Sequence, residues 1–250
     1  MITKDLGFII KRWNFRETSL LATIYTKNYG KINGLFKGFY TFKKEFSSSL
    51  DIFTLNEFVF YPRDTEIWLV SYVDLIQEYS FLKDNLEKNM IASTFLHIIN
   101  KSFPLQDKNR QVFFLLKDSL YNLMVGDEKK ILYIFLIKFL TISGFKPEFN
   151  LCINCHNPYT EKVFFNTKEG GLICEKCKDL KTDSLQISLE TSLTISYIQK
   201  NNFPHLMRIN LTLKCEEEVV FILKKFLEHH LNFDLFSSLL YRYKLKSIEK

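Results

Sequence analysis

Glycine and proline are sparse, with eight and five in 250 residues, which excludes a collagen-like, linker-dominated or low-complexity chain. Arginine is scarce too: Arg12, Arg16, Arg63, Arg110, Arg208 and Arg242 are the only ones among 34 basic residues. Bidentate contacts to phosphate are therefore few, and anion binding must lean on lysine point charges. No apolar run reaches the ~20 residues that a membrane helix needs. The longest, Ile131 to Phe145, is broken by Lys138 and reads as a buried helix. The chain has no nucleophile elbow, no P-loop and no carboxylate pair at a catalytic spacing. Its five histidines, at 97, 156, 205, 229 and 230, form no His-Glu-x-x-His cluster. The start, Met1-Ile-Thr-Lys-Asp-Leu-Gly7, lacks the basic, apolar and small-residue pattern of a signal peptide, which points to a cytosolic setting. What is present is a 46% hydrophobic composition, enough for a packed core in one large or two small domains.

The most specific chemical feature is a pair of Cys-x-x-Cys motifs, Cys152/Cys155 and Cys174/Cys177, separated by eighteen residues that include Gly170-Gly171. Four soft thiolates at this spacing suit one tetrahedral Zn²⁺ per chain. The stretch from Lys162 to Ile173 reads as strand, turn and strand, a hairpin that brings the two motifs together. Cys152-Ile-Asn-Cys155-His156 also has the form of a c-type haem attachment site. That reading needs an exported chain and leaves the second motif without a use. Redox dithiols usually stand near a βαβ pattern, which is absent, and a cytosolic setting disfavours disulfides. Iron–sulfur chemistry is a weaker alternative to zinc. A four-cysteine zinc site has no open position, so it braces structure and does not catalyse. His156 is expected to be a bystander or a hydrogen-bond donor to a ligand sulfur, and Cys215 a helix residue without a metal role.

Charge is unevenly distributed. Residues 1–44 hold nine basic residues against Asp5 and Glu17, a net of +7, whereas residues 45–79 hold only Arg63 against seven acidic residues, a net of −6. A basic face for a polyanion is one reading of this asymmetry, and soluble strands are the other. Trp13, Phe15, Tyr25, Tyr29, Phe36, Phe39 and Tyr40 are interleaved with the basic residues. Most are expected in the core, leaving roughly one or two to stack on bases.

From Ile2 to about Ser80, short runs rich in β-branched and aromatic residues alternate with turn signals, predicting five strands and a small OB-like barrel. After Ser80 the apolar period lengthens to three and four residues. Helices are expected over 82–100, 109–125, 128–143, 188–200, 216–231 and 235–246. The chain is thus read as α+β and multidomain: an OB-fold barrel over 1–79, then an all-helical domain over 80–250 with a zinc-binding insertion at about 150–180.

In that order, these parts resemble the bacterial RecO family of recombination mediators. Arg16-Glu-Thr-Ser-Leu-Leu-Ala-Thr-Ile-Tyr-Thr-Lys-Asn-Tyr-Gly-Lys31 is similar to the family's first-barrel signature, and Lys37-Gly38 to the close of its third strand. Ser47 through Tyr61 resembles its small-residue stretch leading into a strand. The cysteine hairpin through Gly170-Gly-Leu-Ile-Cys-Glu-Lys-Cys177 is the closest match, and Leu235-Phe-Ser-Ser-Leu-Leu240 resembles the closing helix. Family members often carry basic residues directly after the third strand, where this chain has Phe39-Tyr-Thr-Phe42 before Lys43-Lys44.

The resemblance implies a non-enzymatic cytoplasmic, nucleoid-associated protein of DNA repair and recombination. Such a protein binds single- and double-stranded DNA and the tail of single-strand-binding protein, pairs with RecR, promotes annealing, helps load RecA, and has no membrane role. The phosphate-binding residues expected on the barrel are Arg12, Arg16, Lys31, Lys37, Lys43 and Lys44. Lys224, Lys225, Arg242 and Lys244, near Phe221, Phe226 and Phe236, offer one surface for the acidic tail, although the plainer reading of those phenylalanines is core. The alternative from another class is a nucleic-acid-modifying enzyme whose zinc hairpin only positions substrate.

Overall fold

A computed structural model describes residues 2–41, 50–159, 162–181 and 183–231. The chain forms two compact units, Met1–Met124 and Val125–Lys250.

The first unit is built on five strands: β1 (Thr3–Phe15), β2 (Ser19–Thr26), β3 (Gly30–Phe36), β4 (Thr54–Tyr61) and β5 (Ile67–Glu78). They close into a barrel in the order β1-β2-β3-β5-β4, with β3 and β5 parallel and the other neighbours antiparallel. β1 is long enough to pair with β4 through its first half and with β2 through its second, and a bulge between Ile9 and Lys11 bends it from one partner to the other. The interior is filled by Ile9, Ile24, Ile32, Phe36, Phe58, Phe60, Trp68 and Val70. β2 departs from strict alternation, with every residue from Leu20 to Thr26 buried. Both of its faces are covered. Ile24 points into the barrel, while Tyr25 packs outward on Phe103 and donates its hydroxyl to the Asn109 carbonyl.

That outer cover comes from α1 (Phe81–Asp84), α2 (Leu86–Ser102) and α3 (Arg110–Asn122). Asn85 and Asn109 start α2 and α3 by accepting hydrogen bonds from first-turn N–H groups. Phe8 of β1 meets Phe113 of α3 with ring centroids 5.4 Å apart. The change of period at Ser80 marks where strands give way to helices, and these first helices belong to the same compact unit as the barrel. Gly30 opens β3 at φ +67, and a Cβ there would lie 2.1 Å from the Asp107 carbonyl oxygen. Glycine is what allows the α2–α3 connection to lie against this strand.

The second unit has α4 (Glu128–Ile142) as its central helix, buried continuously from Ile131 to Ile137. The apolar run read as a buried helix is therefore a core element. α5 (Leu189–Lys200), α6 (Phe203–Leu206) and α7 (Leu213–Leu231) complete the helices, with α4, α5 and α7 in mutual contact. Two lysines of α4 hold the segment after α6 and the last turn of α5. Lys130 Nζ donates to the carbonyls of Met207 and Ile209, and Lys138 Nζ to that of Gln199. Between α4 and α5 the chain forms an antiparallel sheet, β7-β6-β8, from β6 (Val163–Asn166), β7 (Gly171–Cys174) and β8 (Ser184–Ile187). The expected hairpin is β6–β7. β8 and the 3-10 turn Glu175–Leu180 were not foreseen. The helix expected over 235–246 lies outside the described residues. No helix among the described residues is long and apolar enough to cross a membrane.

Candidate metal centre and nucleic-acid interface

Cys152 and Cys155 occupy a tight turn, and Cys174 and Cys177 lie at the end of β7 and in the 3-10 turn that follows. The first turn is closed by the His156 N–H donating to the Cys152 carbonyl at 2.8 Å, with His156 in the left-handed region at φ 57. It is fastened to the hairpin by the Ile153 N–H, which donates to the Leu172 carbonyl at 2.8 Å. Gly171 makes that approach possible, since a Cβ there would lie 2.3 Å from Ile153 Cγ2.

The four Sγ atoms lie within 4.8 Å of one another, an arrangement that can hold a metal ion. Cys152 and Cys177 are buried, whereas Cys155 and Cys174 are half-buried. The Cys174 N–H points at Cys152 Sγ and the Asn154 side-chain amide at Cys177 Sγ, each at 3.4 Å. Burial resists ionisation of Cys152, but backbone N–H groups of Cys155, Cys174 and Asn154 outweigh it and pull the thiol down to about 6. At Cys177 the Asn154 amide favours the thiolate. Burial and the three neighbouring sulfurs outweigh that donor and push the thiol up to about 11. One sulfur ionises readily and another resists because negative charge accumulates in a small space. A cation among the four removes that resistance, so the donor set fits a thiophilic metal. His156 is exposed, and Cys215 is buried in α7.

On the barrel, the expected basic residues fall into three groups. Arg16 and Lys37 are exposed, Arg16 in the β1–β2 turn at φ 56 with its guanidinium 5.3 Å from the Phe15 ring centre, and Lys37 just beyond β3. Arg12 lies 3.0 Å from Asp51, and Lys31 turns its ammonium onto the Asn100 carbonyl at 2.5 Å. Burial holds the Lys31 amine below its usual range. Lys43 and Lys44 lie outside the described residues. Among the aromatics, Tyr25 and Phe36 are fully buried, and Tyr29 and Phe39 pack on the core. Trp13 and Tyr40 remain exposed, at 39% and 43%. Lys11, which the sequence reading left out of the site, carries its ammonium 5.5 Å over the Trp13 ring. The Tyr40 N–H donates to the Thr18 carbonyl and its hydroxyl to Asn14 Oδ1. The segment after β3 is thereby tied to the β1–β2 hairpin. Two exposed rings and three cations, Lys11, Arg16 and Lys37, share this end of the barrel.

For the expected partner-docking surface, Lys224 and Lys225 are exposed on α7 and approach Glu228 at 3.9 and 3.5 Å. Phe221 is 38% exposed, whereas Phe226 is buried and meets the His230 ring at a tilt with centroids 4.2 Å apart. Arg242, Lys244 and Phe236 lie outside the described residues. A separate groove of about 490 Å³ runs along α5 between Leu193, Tyr197 and Ile209, with Lys200 in its lining. Sequence reasoning could not find it, because Leu193 and Tyr197 have the spacing of core residues.

A closed five-stranded OB-type barrel, packed helices and a four-cysteine knuckle define a modular α+β protein with a candidate structural metal centre. The comparison with known families is more specific. Residues 1–79 match the family model for the recombination protein O N terminal region, and residues 83–239 match that for its C terminal region. The chain belongs to the RecO family. It is 29% identical to the DNA repair protein RecO of Caldicellulosiruptor saccharolyticus, over 84% of this chain and 85% of that protein. It is 26% identical to that of Alkaliphilus metalliredigens, over 96% and 98%, and 28% identical to that of Syntrophus aciditrophicus, over 93% and 92%.

Proposed function

We propose that this chain is a recombination mediator in DNA repair, acting by binding and without bond chemistry. Its barrel binds single- and double-stranded DNA. Its helical part receives the acidic, apolar-ended tail of single-strand-binding protein. Pairing with RecR then supports strand annealing and RecA loading in the cytoplasm, at the nucleoid. The observation that carries this reading is the cluster of exposed Trp13 and Tyr40 with Lys11, Arg16 and Lys37 on a closed barrel, in a chain matched to both RecO family models.

The physics of the interface is that of a single-strand platform. Aromatic faces stack on any base, and cations neutralise phosphates and release counterions, giving affinity with little sequence preference. Lys43 and Lys44 add to this surface in our reading. Arg12 and Lys31 act mainly by fixing the strands that carry it. The division of labour we propose gives nucleic-acid binding to the barrel over 1–79 and assigns 80–250 to the helical part, whose first three helices lie in the same compact unit as the barrel.

We also propose that the four cysteines hold one structural Zn²⁺. The ion would pin the Cys152–Cys155 turn to the end of β7 and leave no open coordination position. Cys152, Cys155, Cys174 and Cys177 supply all four donors.

An annealing assay with complementary oligonucleotides coated by single-strand-binding protein tests the function. Acceleration that is lost when the tail is deleted, with the strands left uncut, is expected. Magnesium-dependent cleavage by the purified chain would replace the mediator with the enzyme reading.

A further inference from the structure

The four sulfurs of the metal centre are not equivalent. Cys152 is fully buried and Cys177 is 6% exposed, while Cys155 and Cys174 are half-buried. The two buried sulfurs are also the ones that receive N–H donors, from the Cys174 backbone and from the Asn154 side chain. Hydrogen bonds to a thiolate withdraw charge from it and lower its nucleophilicity, and enclosure keeps reagents away. Cys155 and Cys174 receive no such donor in the described structure. Their Sγ atoms lie 3.8 Å apart, across the two Cys-x-x-Cys motifs. Closing that gap from 3.8 Å to the ~2.05 Å of a disulfide requires the two sulfurs to approach by about 1.75 Å.

We propose that Cys155 and Cys174 are the oxidant-reactive edge of this centre, and that hydrogen peroxide joins them in a disulfide with release of the metal. The proposal rests on the zinc reading given above. One thiolate attacks the O–O bond and becomes a sulfenic acid, as the peroxide's other oxygen leaves as water after taking up a proton. The second thiolate attacks that sulfur, the S–S bond forms, and the hydroxyl group leaves as a second water with another proton. The two sulfurs lose two electrons, the peroxide gains them, and Zn²⁺ departs with its charge unchanged. A thiol reductant reverses the step, and the two remaining cysteines are too few to retain a four-coordinate ion. The first turn is then held to β7 by the Ile153–Leu172 hydrogen bond without the metal.

The test uses the full chain as purified under reducing, zinc-replete conditions. Elemental analysis before oxidation decides the zinc reading separately, since a chain without zinc at this stage removes it. Substoichiometric hydrogen peroxide is then added, released zinc is followed with a chromophoric chelator, and free thiols are alkylated before peptide mapping. Lys176 separates Cys174 from Cys177 on tryptic cleavage, and fragmentation distinguishes Cys152 from Cys155. The expected first product links Cys155 to Cys174, forms in step with zinc release, and leaves Cys152, Cys177 and the buried Cys215 alkylatable. A first disulfide within either Cys-x-x-Cys motif, or first oxidation at Cys152 or Cys177, overturns the proposal. Asn154→Ala provides a second measurement, because it removes the donor to Cys177 without removing a ligand. Zinc release at fixed peroxide should accelerate on the order of tenfold, the scale at which outer-shell partners act, and Cys177 should enter the mixture of disulfides. An unchanged rate and an unchanged disulfide map in that variant would show that the donor does not shield the sulfur.

Discussion

The Arg12 guanidinium lies 3.0 Å from the Asp51 carboxylate and donates to the Leu50 carbonyl, tying β1 to the chain just ahead of β4. Asp51 also meets Lys83 at 3.2 Å, and Lys83 reaches Glu78 at 2.8 Å. Lys4 pairs with Glu57 at 2.6 Å. The basic first part of the barrel sequence is thus partly neutralised by the acidic part that follows it. No ion pair among the described residues engages Lys11, Arg16 or Lys37, and these define the basic surface.

Salt dependence should separate the two kinds of cation. Each phosphate contact to a single strand contributes about 0.7 to the slope of log affinity against log salt, so Arg16→Ala with Lys37→Ala should lower it by about 1.4. Arg12→Ala should leave the slope nearly unchanged and cost less than about 1 kcal/mol of stability, because its ion pair is partly exposed. Fluorescence anisotropy of a labelled oligonucleotide at several salt concentrations reads the slopes. Equal losses for Arg12 and Arg16 would place Arg12 on phosphate instead of Asp51.

Trp13 and Tyr40 should matter through their ring faces. Replacing Trp13 by Ala should weaken single-strand binding by roughly 1–3 kcal/mol, the range for a base stacked on an aromatic side chain, with little dependence on sequence. Trp13→Phe should retain most of the affinity. Tryptophan emission, compared with that of Trp13→Phe to subtract the buried Trp68, monitors this ring, and a Trp13 contribution that does not change on saturation with DNA would exclude stacking there.

Loss of the metal should destabilise the second unit selectively. Cys152→Ser removes the ligand at the centre of the knuckle's hydrogen bonds, and structural metal binding is coupled to folding. Hydrogen exchange should show faster exchange through β6, β7 and the Cys152–Cys155 turn, with the barrel strands protected as before. Metal content near one ion per chain in the parent protein and near zero in the variant is the accompanying expectation. Uniform protection in both proteins would mean that hydrophobic packing, such as Phe149 on Phe165 at 5.1 Å, holds the hairpin unaided.

Much of this architecture was legible in the sequence because its signals are local. β2 and β3 end where Asn28, Gly30 and Lys37-Gly38 interrupt the apolar pattern, and the cysteine spacing alone gathers the four sulfurs. β8 escaped notice because Ser184-Leu-Gln-Ile187 is too short to display a period and gains its identity only by pairing with β6. Lys31 is one of the residues expected on the phosphate-binding surface, and its contact with Asn100, 69 residues away, is invisible in the local sequence. The same limit applies to Trp13 and Tyr25, two aromatic strand residues of the basic first part of the barrel. Residues at the ends of α2 and α3 cover Tyr25, whereas Trp13 is left exposed by the described residues, a distinction that exists only once the chain has folded.

Acid should weaken the junction between α5 and α7 through Glu218. Ser188 caps α5 by accepting from the Thr191 N–H at 3.2 Å, and both its own N–H and its hydroxyl donate to the Glu218 carboxylate of α7, at 2.9 and 2.7 Å. Burial works against the charged carboxylate, but hydrogen bonds from Thr191 and Ser188 outweigh it and hold the group below its ordinary range. A folded-state value below the unfolded one means that the unfolded chain binds the proton more readily. The stabilisation is therefore fully present above the ordinary value of 4.5 and is lost as pH falls through the folded value. Ser188→Ala should cost about 1 kcal/mol at neutral pH, as for loss of a helix cap. Glu218→Gln should lower stability at pH 7 and show less further loss between pH 5 and 3 than the parent. Urea unfolding across that range, followed by circular dichroism, checks both. Parallel pH profiles for the parent and Glu218→Gln would show that this carboxylate does not couple the two helices.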